Sequence, residues 1–196
     1  MIDLTEKGFC IFGSRGGGKS WLVKHILDST PNHLIYDPMQ EHQGYRRYVP
    51  DDRESVQELS DLVKSVVVPT KPALFIVDEA NKYVLPKPNR LPDGVNDLMD
   101  FGRHWGISVG FVSRRPVQFH TDLVELSNVL FFYGLTGNND YHYLENLHMG
   151  LGDAVRNLGE FQFMSLSSGR DMELHNPIDS PGHPNHTGPA KQNSEG

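Results

Sequence analysis

Gly13-Ser14-Arg15-Gly16-Gly17-Gly18-Lys19-Ser20 satisfies the pattern G-x-x-x-x-G-K-[ST] at every fixed position. An apolar run, Phe9-Cys10-Ile11-Phe12, precedes it, and Trp21-Leu22-Val23-Lys24-His25-Ile26-Leu27 follows at helical spacing. A phosphate-binding loop requires a strand before it and a helix after it, so the flanks lift the match above a chance glycine-rich turn. In such a loop successive backbone N–H groups curl round phosphate oxygens, and the helix adds its positive N-terminal end. Lys19 is expected to reach the β- and γ-phosphates, and the Ser20 hydroxyl to ligate Mg²⁺. The expected cradle runs from Gly13 through Ser20 to Trp21, and its ligand is a nucleoside triphosphate.

With 196 residues the chain has the size of one domain, large enough to bury a core without disulfides or metals. The single Cys10 excludes a disulfide framework and a cysteine zinc site, and points to a reducing compartment. No apolar run approaches the roughly 18 residues of a membrane span, and the N-terminus carries no signal-peptide pattern. A cytoplasmic protein is expected, and the sequon Asn185-His186-Thr187 is then a chance match. Net charge is −7, of which residues 171–196, with one Lys against four acids, carry −3. That excludes a broad basic face for coating nucleic acid, though not a grip through a few loop residues in a ring pore.

Along the chain, residues 8–13 are expected as a buried strand, 19–29 as a helix and 33–37 as a second strand. Tyr45-Arg46-Arg47-Tyr48 falls in a polar stretch expected as loop, and 53–66 has helical spacing through Val56, Leu59, Leu62, Val63 and Val66. Ala73-Leu74-Phe75-Ile76-Val77-Asp78-Glu79 is an apolar strand ending in two acids, followed by an irregular loop from Lys82 to Pro92. A helix over 93–104, a strand over 107–112, a short helix over 120–127 and a strand over 129–133 come next. Residues 138–158 are expected to be helical in two pieces, broken at Gly150-Leu151-Gly152, before a hairpin of 160–166 and 171–175. From Asn176 apolar residues nearly vanish, so the expected organisation is a domain over 1–175 and a disordered tail over 176–196. Alternation of strands and helices predicts an α/β fold with three layers around a mainly parallel sheet.

Asp78-Glu79 at the end of an apolar strand supplies the second half of a hydrolytic site. An aspartate there reaches the Mg²⁺ shell, and a glutamate orients or deprotonates the attacking water. Two acids that merely end a strand are common, so it is the upstream phosphate loop that gives the pair its meaning. In motor ATPases of the additional-strand, catalytic-glutamate class, the next strand inserts between the Asp-Glu strand and the phosphate-loop strand. Its C-terminal end then faces the γ-phosphate, which places Ser113 and Arg114 as candidate sensors.

Four further stretches are Ile35-Tyr36-Asp37-Pro38, Gly102-Arg103-His104-Trp105-Gly106-Ile107-Ser108, Ser113-Arg114-Arg115-Pro116 and Leu158-Gly159-Glu160-Phe161. Their order over residues 8–166 resembles that of HerA/FtsK-type ATPases, which include genome-packaging ATPases of membrane-containing icosahedral viruses. The resemblance implies a RecA-like core with a C-terminal β-hairpin, ATP and Mg²⁺ as cofactors, and hydrolysis coupled to movement of double-stranded DNA. It implies a homo-oligomeric ring, hexamer or pentamer, with an arginine from one subunit completing the next subunit's site. Arg103 matches the family's arginine position best, with Arg114 and Arg115 as competitors. It also implies viral portal or membrane-vertex partners, and a location in host cytoplasm or in the virion. The chain departs from the family where Arg114 stands at the sensor glutamine.

For gripping a polynucleotide, the loop Lys82-Tyr83-Val84-Leu85-Pro86-Lys87-Pro88-Asn89-Arg90 offers cations (Lys82, Lys87, Arg90) and an aromatic ring. Arg46-Arg47 between tyrosines is a second candidate. None of the ten histidines has H-x-x-x-H or H-E-x-x-H spacing, so they are expected as ordinary surface or core residues. Two rival functions remain open on sequence grounds: a small-molecule kinase acting on a nucleoside or metabolite, and a nucleotide-switched phage assembly factor. Glu79 and the Arg103-to-Pro116 segment count against the first.

Overall fold

The apolar run before the glycine-rich loop is the strand on which the sheet is centred. In the computed structural model, which describes residues 3–178, this is β1 (Gly8–Phe12). The other strands are β2 (His33–Tyr36), β3 (Arg47–Tyr48), β4 (Leu74–Val77), β5 (Ser108–Ser113), β6 (Val129–Phe132), β7 (Phe163–Ser167) and β8 (Met172–His175). They form one sheet in the order β3-β2-β4-β5-β1-β6-β7-β8. The first six strands run parallel, and β7 and β8 close the sheet as an antiparallel hairpin. β5 lies between β4 and β1, as the additional-strand arrangement requires.

Because both faces of the sheet are covered, β1, β4 and β6 are apolar throughout rather than alternating. The two faces still separate by parity. Phe9 and Ile11 of β1, Leu74 and Ile76 of β4, and Val129 and Phe131 of β6 pack beneath helix α1 (Lys19–Asp28) through Leu22, Val23, Ile26 and Leu27. Cys10, Phe12, Phe75, Val77, Leu130 and Phe132 point to the other face. There they meet α2 (Val56–Leu62), which continues through a wider turn Val63–Val67 into α3 (Val68–Thr70), and α4 (Asp93–Phe101). Helices α5 (Thr121–Leu126), α6 (Asn138–Leu147) and α7 (Leu151–Arg156) complete that layer.

Three expectations are corrected. Arg47 and Tyr48 are not loop but the short edge strand β3, paired in parallel with Ile35 and Tyr36. Two residues are too few to show a period; what holds them is the Asp37 amide donating to the Tyr48 carbonyl and the Tyr36–Tyr48 ring stack at 5.8 Å. The helix expected from 53 begins at Val56, because Ser55 caps it by accepting the Glu58 amide at 3.1 Å. The Glu58 carboxylate meanwhile accepts the amides of Asp51 and Asp52 and holds them outside the helix. The helix also runs past 66, its expected end, with Pro69 in its last turn, which ends at Lys71 with φ 45°. Of the expected tail, residues 176–178 are described, with Ile178 against the core beneath α1. The remainder, including His183, His186 and the sequon, lies outside the described residues.

Gly110, in the middle of β5, faces Phe9 on β1, and a Cβ there would lie 2.3 Å from the Phe9 ring. Gly110→Ala is therefore expected to lower unfolding free energy by roughly 1–3 kcal/mol through overpacking, read as a lower urea midpoint with an unchanged slope.

Candidate nucleotide site

The glycine-rich loop leaves β1 and enters α1 through backbone conformations that L side chains avoid: φ is 76° at Gly16 and 107° at Gly18, the residue capping α1. Tyr133, just past β6, lies directly beneath it. A Cβ on Gly13 would be 2.6 Å from the Tyr133 Cβ, and one on Gly18 would be 2.9 Å from the ring. The loop is tied down where the Ser14 amide donates to the Gly134 carbonyl at 3.0 Å. Lys19 turns back over it, Nζ donating to the carbonyls of Gly13 at 2.7 Å and Ser14 at 3.1 Å. Burial lowers the Lys19 pKa, and the negative charges of Glu79 and Asp78 oppose that shift. The expected phosphate lysine and the expected hydrolytic acids therefore share one site.

β4 ends at Val77, and the Asp78 amide donates to the Tyr36 carbonyl of neighbouring β2 at 3.0 Å. Glu79 follows with φ 48°, a left-handed conformation that costs a non-glycine residue on the order of 1 kcal/mol. Its own amide donates to Asp78 Oδ1 at 2.8 Å. From the end of β5, Arg114 reaches Glu79 Oε1 with Nε at 3.2 Å and a terminal nitrogen at 2.9 Å. This contact exists because β5 is inserted next to β4, which sets the ends of the two strands side by side. Ser113, the last residue of β5, is buried, and its hydroxyl has no hydrogen-bond partner among the described residues.

One functional residue escaped the sequence reading. His42 is fully buried, and its Nε2 lies 2.8 Å from Asp78 Oδ2. It is delivered there by Asp37, whose carboxylate accepts the amides of Glu41 (2.9 Å) and His42 (3.0 Å) and an Arg47 N–H (2.9 Å). The Asp-Pro pair at the end of β2 pointed to Asp37 without giving it a task. Histidine spacing rules could not find a lone His42 that works through a strand end thirty-six residues away. Asp37, His42 and Asp78 lie close enough to hold a metal ion. The Arg47 guanidinium on Asp37 already neutralises one of the two acids, so the cluster is better described as a hydrogen-bonded brace. For Mg²⁺ itself the fitting donors are the exposed Ser20 hydroxyl and the Asp78 carboxylate, hard oxygens of the kind this ion takes.

The three arginine candidates separate. Arg115 donates to Asp140 Oδ2 at 2.9 Å, and Asp140 is buried in α6, so this side chain is committed within the chain. Arg114 is committed to Glu79. Arg103 is exposed and makes no ion pair among the described residues. It precedes β5, a strand of 6 residues, and therefore sits about 20 Å from the end that carries Ser113 and Arg114. It does not reach its own chain's site. In the polynucleotide loop the aromatic is corrected: Tyr83 is buried in the core, its hydroxyl donating to the Arg53 carbonyl at 2.7 Å. Lys87 pairs with Asp122 at 2.6 Å, while Lys82 and Arg90 have no ion pair among the described residues. Of the second candidate pair, Arg47 is held by Asp37 and Arg46 is exposed.

No protein-family model matches the chain. Over 142 residues, 70% of the chain, it is 31% identical to the probable DNA double-strand break repair helicase HerA of Methanocaldococcus jannaschii. The chain spans 27% of that protein's length. Among solved structures, B204, the DNA-packaging ATPase from Sulfolobus turreted icosahedral virus, is similar with a TM-score of 0.78 at 16% identity, covering 90% of this chain and 100% of that one. The genome packaging NTPase B204 from Sulfolobus turreted icosahedral virus 2 in complex with ATP-gammaS gives a TM-score of 0.74 at 15% identity, covering 88% of this chain and 98% of that one. The N-terminal domain of zonular occludens toxin from Neisseria meningitidis is more distant, with a TM-score of 0.55 at 13% identity, covering 88% and 95% of the two chains. At those identities the structures speak for the fold, and the HerA similarity speaks for the sequence. With its phosphate loop, its inserted β5 and its Asp-Glu strand end, the chain is a P-loop ATPase domain of the HerA/FtsK type.

Proposed function

We propose that the protein is an Mg²⁺-dependent ATP-hydrolysing motor that moves double-stranded DNA as a homo-oligomeric ring, in the manner of a viral genome-packaging ATPase. The observation that carries this is Glu79, set beside Asp78 and within the electrostatic reach of Lys19 across the inserted strand. A kinase needs no such glutamate, because its acceptor is the substrate hydroxyl rather than water. In this reading Gly13 to Trp21 cradle the phosphates, Lys19 neutralises the γ-phosphate, and Ser20 and Asp78 hold Mg²⁺, which supplies charge neutralisation at the β- and γ-oxygens. Arg114 on Oε1 fixes the orientation of Glu79, so that Oε2 accepts a hydrogen bond from the attacking water. Ser113 contributes the γ-phosphate contact of the missing sensor glutamine. Arg103, free and distant from its own site, completes a neighbour's site, and Lys82 and Arg90 face the polynucleotide.

The DNA-acting relatives support the partner. HerA is described as a repair helicase and B204 as a DNA-packaging ATPase. No helix among the described residues is long and apolar enough to cross a membrane, which fits a motor that works beside a vertex or portal rather than within a bilayer. The test is ATP turnover with and without double-stranded DNA, alongside native mass with ATP bound. Turnover is expected to rise several-fold with DNA, and the mass to be that of a pentamer or hexamer. A rate indifferent to DNA, or a monomer under every nucleotide condition, overturns the motor reading.

A further inference from the structure

We propose that His42 is the positioning residue of the metal-binding aspartate: its ring locks the Asp78 carboxylate in the one rotation that faces the phosphate loop. This rests on the assignment of Asp78 to Mg²⁺ made above. An ionised carboxylate only accepts hydrogen bonds, so the 2.8 Å contact means that His42 Nε2 carries the hydrogen and donates it to Oδ2. The other oxygen, Oδ1, accepts the Glu79 amide at 2.8 Å. The terminal torsion of an aspartate is broad and weakly restrained by itself. With one donor on each oxygen it has a single setting, and the remaining lone pairs are held for the metal shell.

His42 is in turn fixed through its backbone, and its buried ring is bonded through Nε2 alone, Nδ1 having no partner among the described residues. It has no exposed surface, its amide donates to Asp37 Oδ2, and the same carboxylate holds the Glu41 amide and the Arg47 guanidinium. The brace therefore runs from the edge strand β3 through Asp37 and His42 to the end of β4, joining three strand ends. The backbone amide would bond Asp37 whatever the side chain, so it is the ring on Asp78 that calls for a histidine. Partners of this kind, one bond removed from the metal, typically change metal affinity or activity about 10- to 100-fold when removed.

The test uses the full chain with Mn²⁺ as the probe, its binding followed by electron paramagnetic resonance in the presence of a non-hydrolysable ATP analogue. His42→Ala is expected to weaken Mn²⁺ binding by about 10- to 100-fold while leaving analogue affinity in metal-free buffer unchanged. His42→Gln, whose amide N–H can reach Asp78, is expected to recover most of the loss, and His42→Asn, which is too short, to recover little. Thermal melts identify any variant that has simply unfolded, and the Gln and Asn pair then carries the comparison. Mn²⁺ affinity unchanged in His42→Ala overturns the proposal, and so do equal losses in the Gln and Asn variants, which would leave packing as the only role. If wild-type protein binds the Mn²⁺–analogue pair but hydrolyses no ATP, the functional reading fails and the His42 comparison stands. If it binds no Mn²⁺, both fail.

Discussion

Glu79→Gln is expected to reduce ATP turnover by a factor of about 10² to 10⁴ while nucleotide affinity stays nearly unchanged. The substitution keeps the size of the side chain and keeps an acceptor for Arg114, whose two hydrogen bonds fall on Oε1. It replaces Oε2 by an NH₂ group, which donates where an acceptor is needed, so the water loses both its orientation and its proton acceptor. Nothing in the cradle around Gly13 to Ser20 is touched, and Lys19 keeps its carbonyl contacts. Turnover and affinity can be followed in one preparation, with steady-state phosphate release for the first and analogue titration for the second. Turnover within a few-fold of wild type would remove Glu79 from the chemistry and with it the hydrolytic reading.

The second large effect is on stability. Asp37→Ala removes an acceptor that serves two backbone amides and one guanidinium at a position with no exposed surface. Breaking a buried ion pair from one side costs about 3–5 kcal/mol. The Arg47 side chain is 25% exposed and can be partly rehydrated, so the lower end, about 3 kcal/mol, is the expected loss in urea denaturation. Asp37→Asn retains one acceptor and should lose less. A loss under about 1 kcal/mol would mean that the turn from Asp37 to His42 is held by something other than this carboxylate.

The chemistry closest to the phosphates was the most legible part of the chain. Gly13 to Ser20 must satisfy fixed backbone and charge requirements, so motif and geometry coincide, and the strand end at Asp78-Glu79 is marked by an abrupt change from apolar to acidic. The place of β5 between β4 and β1 was also accessible, through the ATPase class to which the Asp-Glu strand end pointed. What stayed hidden acts over a distance in sequence with no period of its own. Arg47 and Tyr48 become a strand only because Tyr36 and Asp37 are there to receive them. His42 acquires a task only when β2 and β4 lie side by side. Tyr83 looked like an exposed aromatic in a basic loop, yet burial against the core claims it, and a Pro-rich neighbourhood gives no sign of which residues turn inward.

Lys19 has a last consequence. Two of the three donors of its ammonium group are already taken by oxygens, those of Gly13 and Ser14, so the lysine is held over the loop before a ligand arrives. At this lysine an incoming triphosphate exchanges hydrogen bonds, and what decides the exchange is the charge of the acceptor. A phosphate oxygen offers the ammonium a full opposite charge where a carbonyl offers only a dipole, and partial burial strengthens that attraction. The loop thus sets its own threshold for occupancy: ligands whose oxygens carry full negative charge displace the carbonyls, and neutral or weakly polar ones leave the lysine where it is.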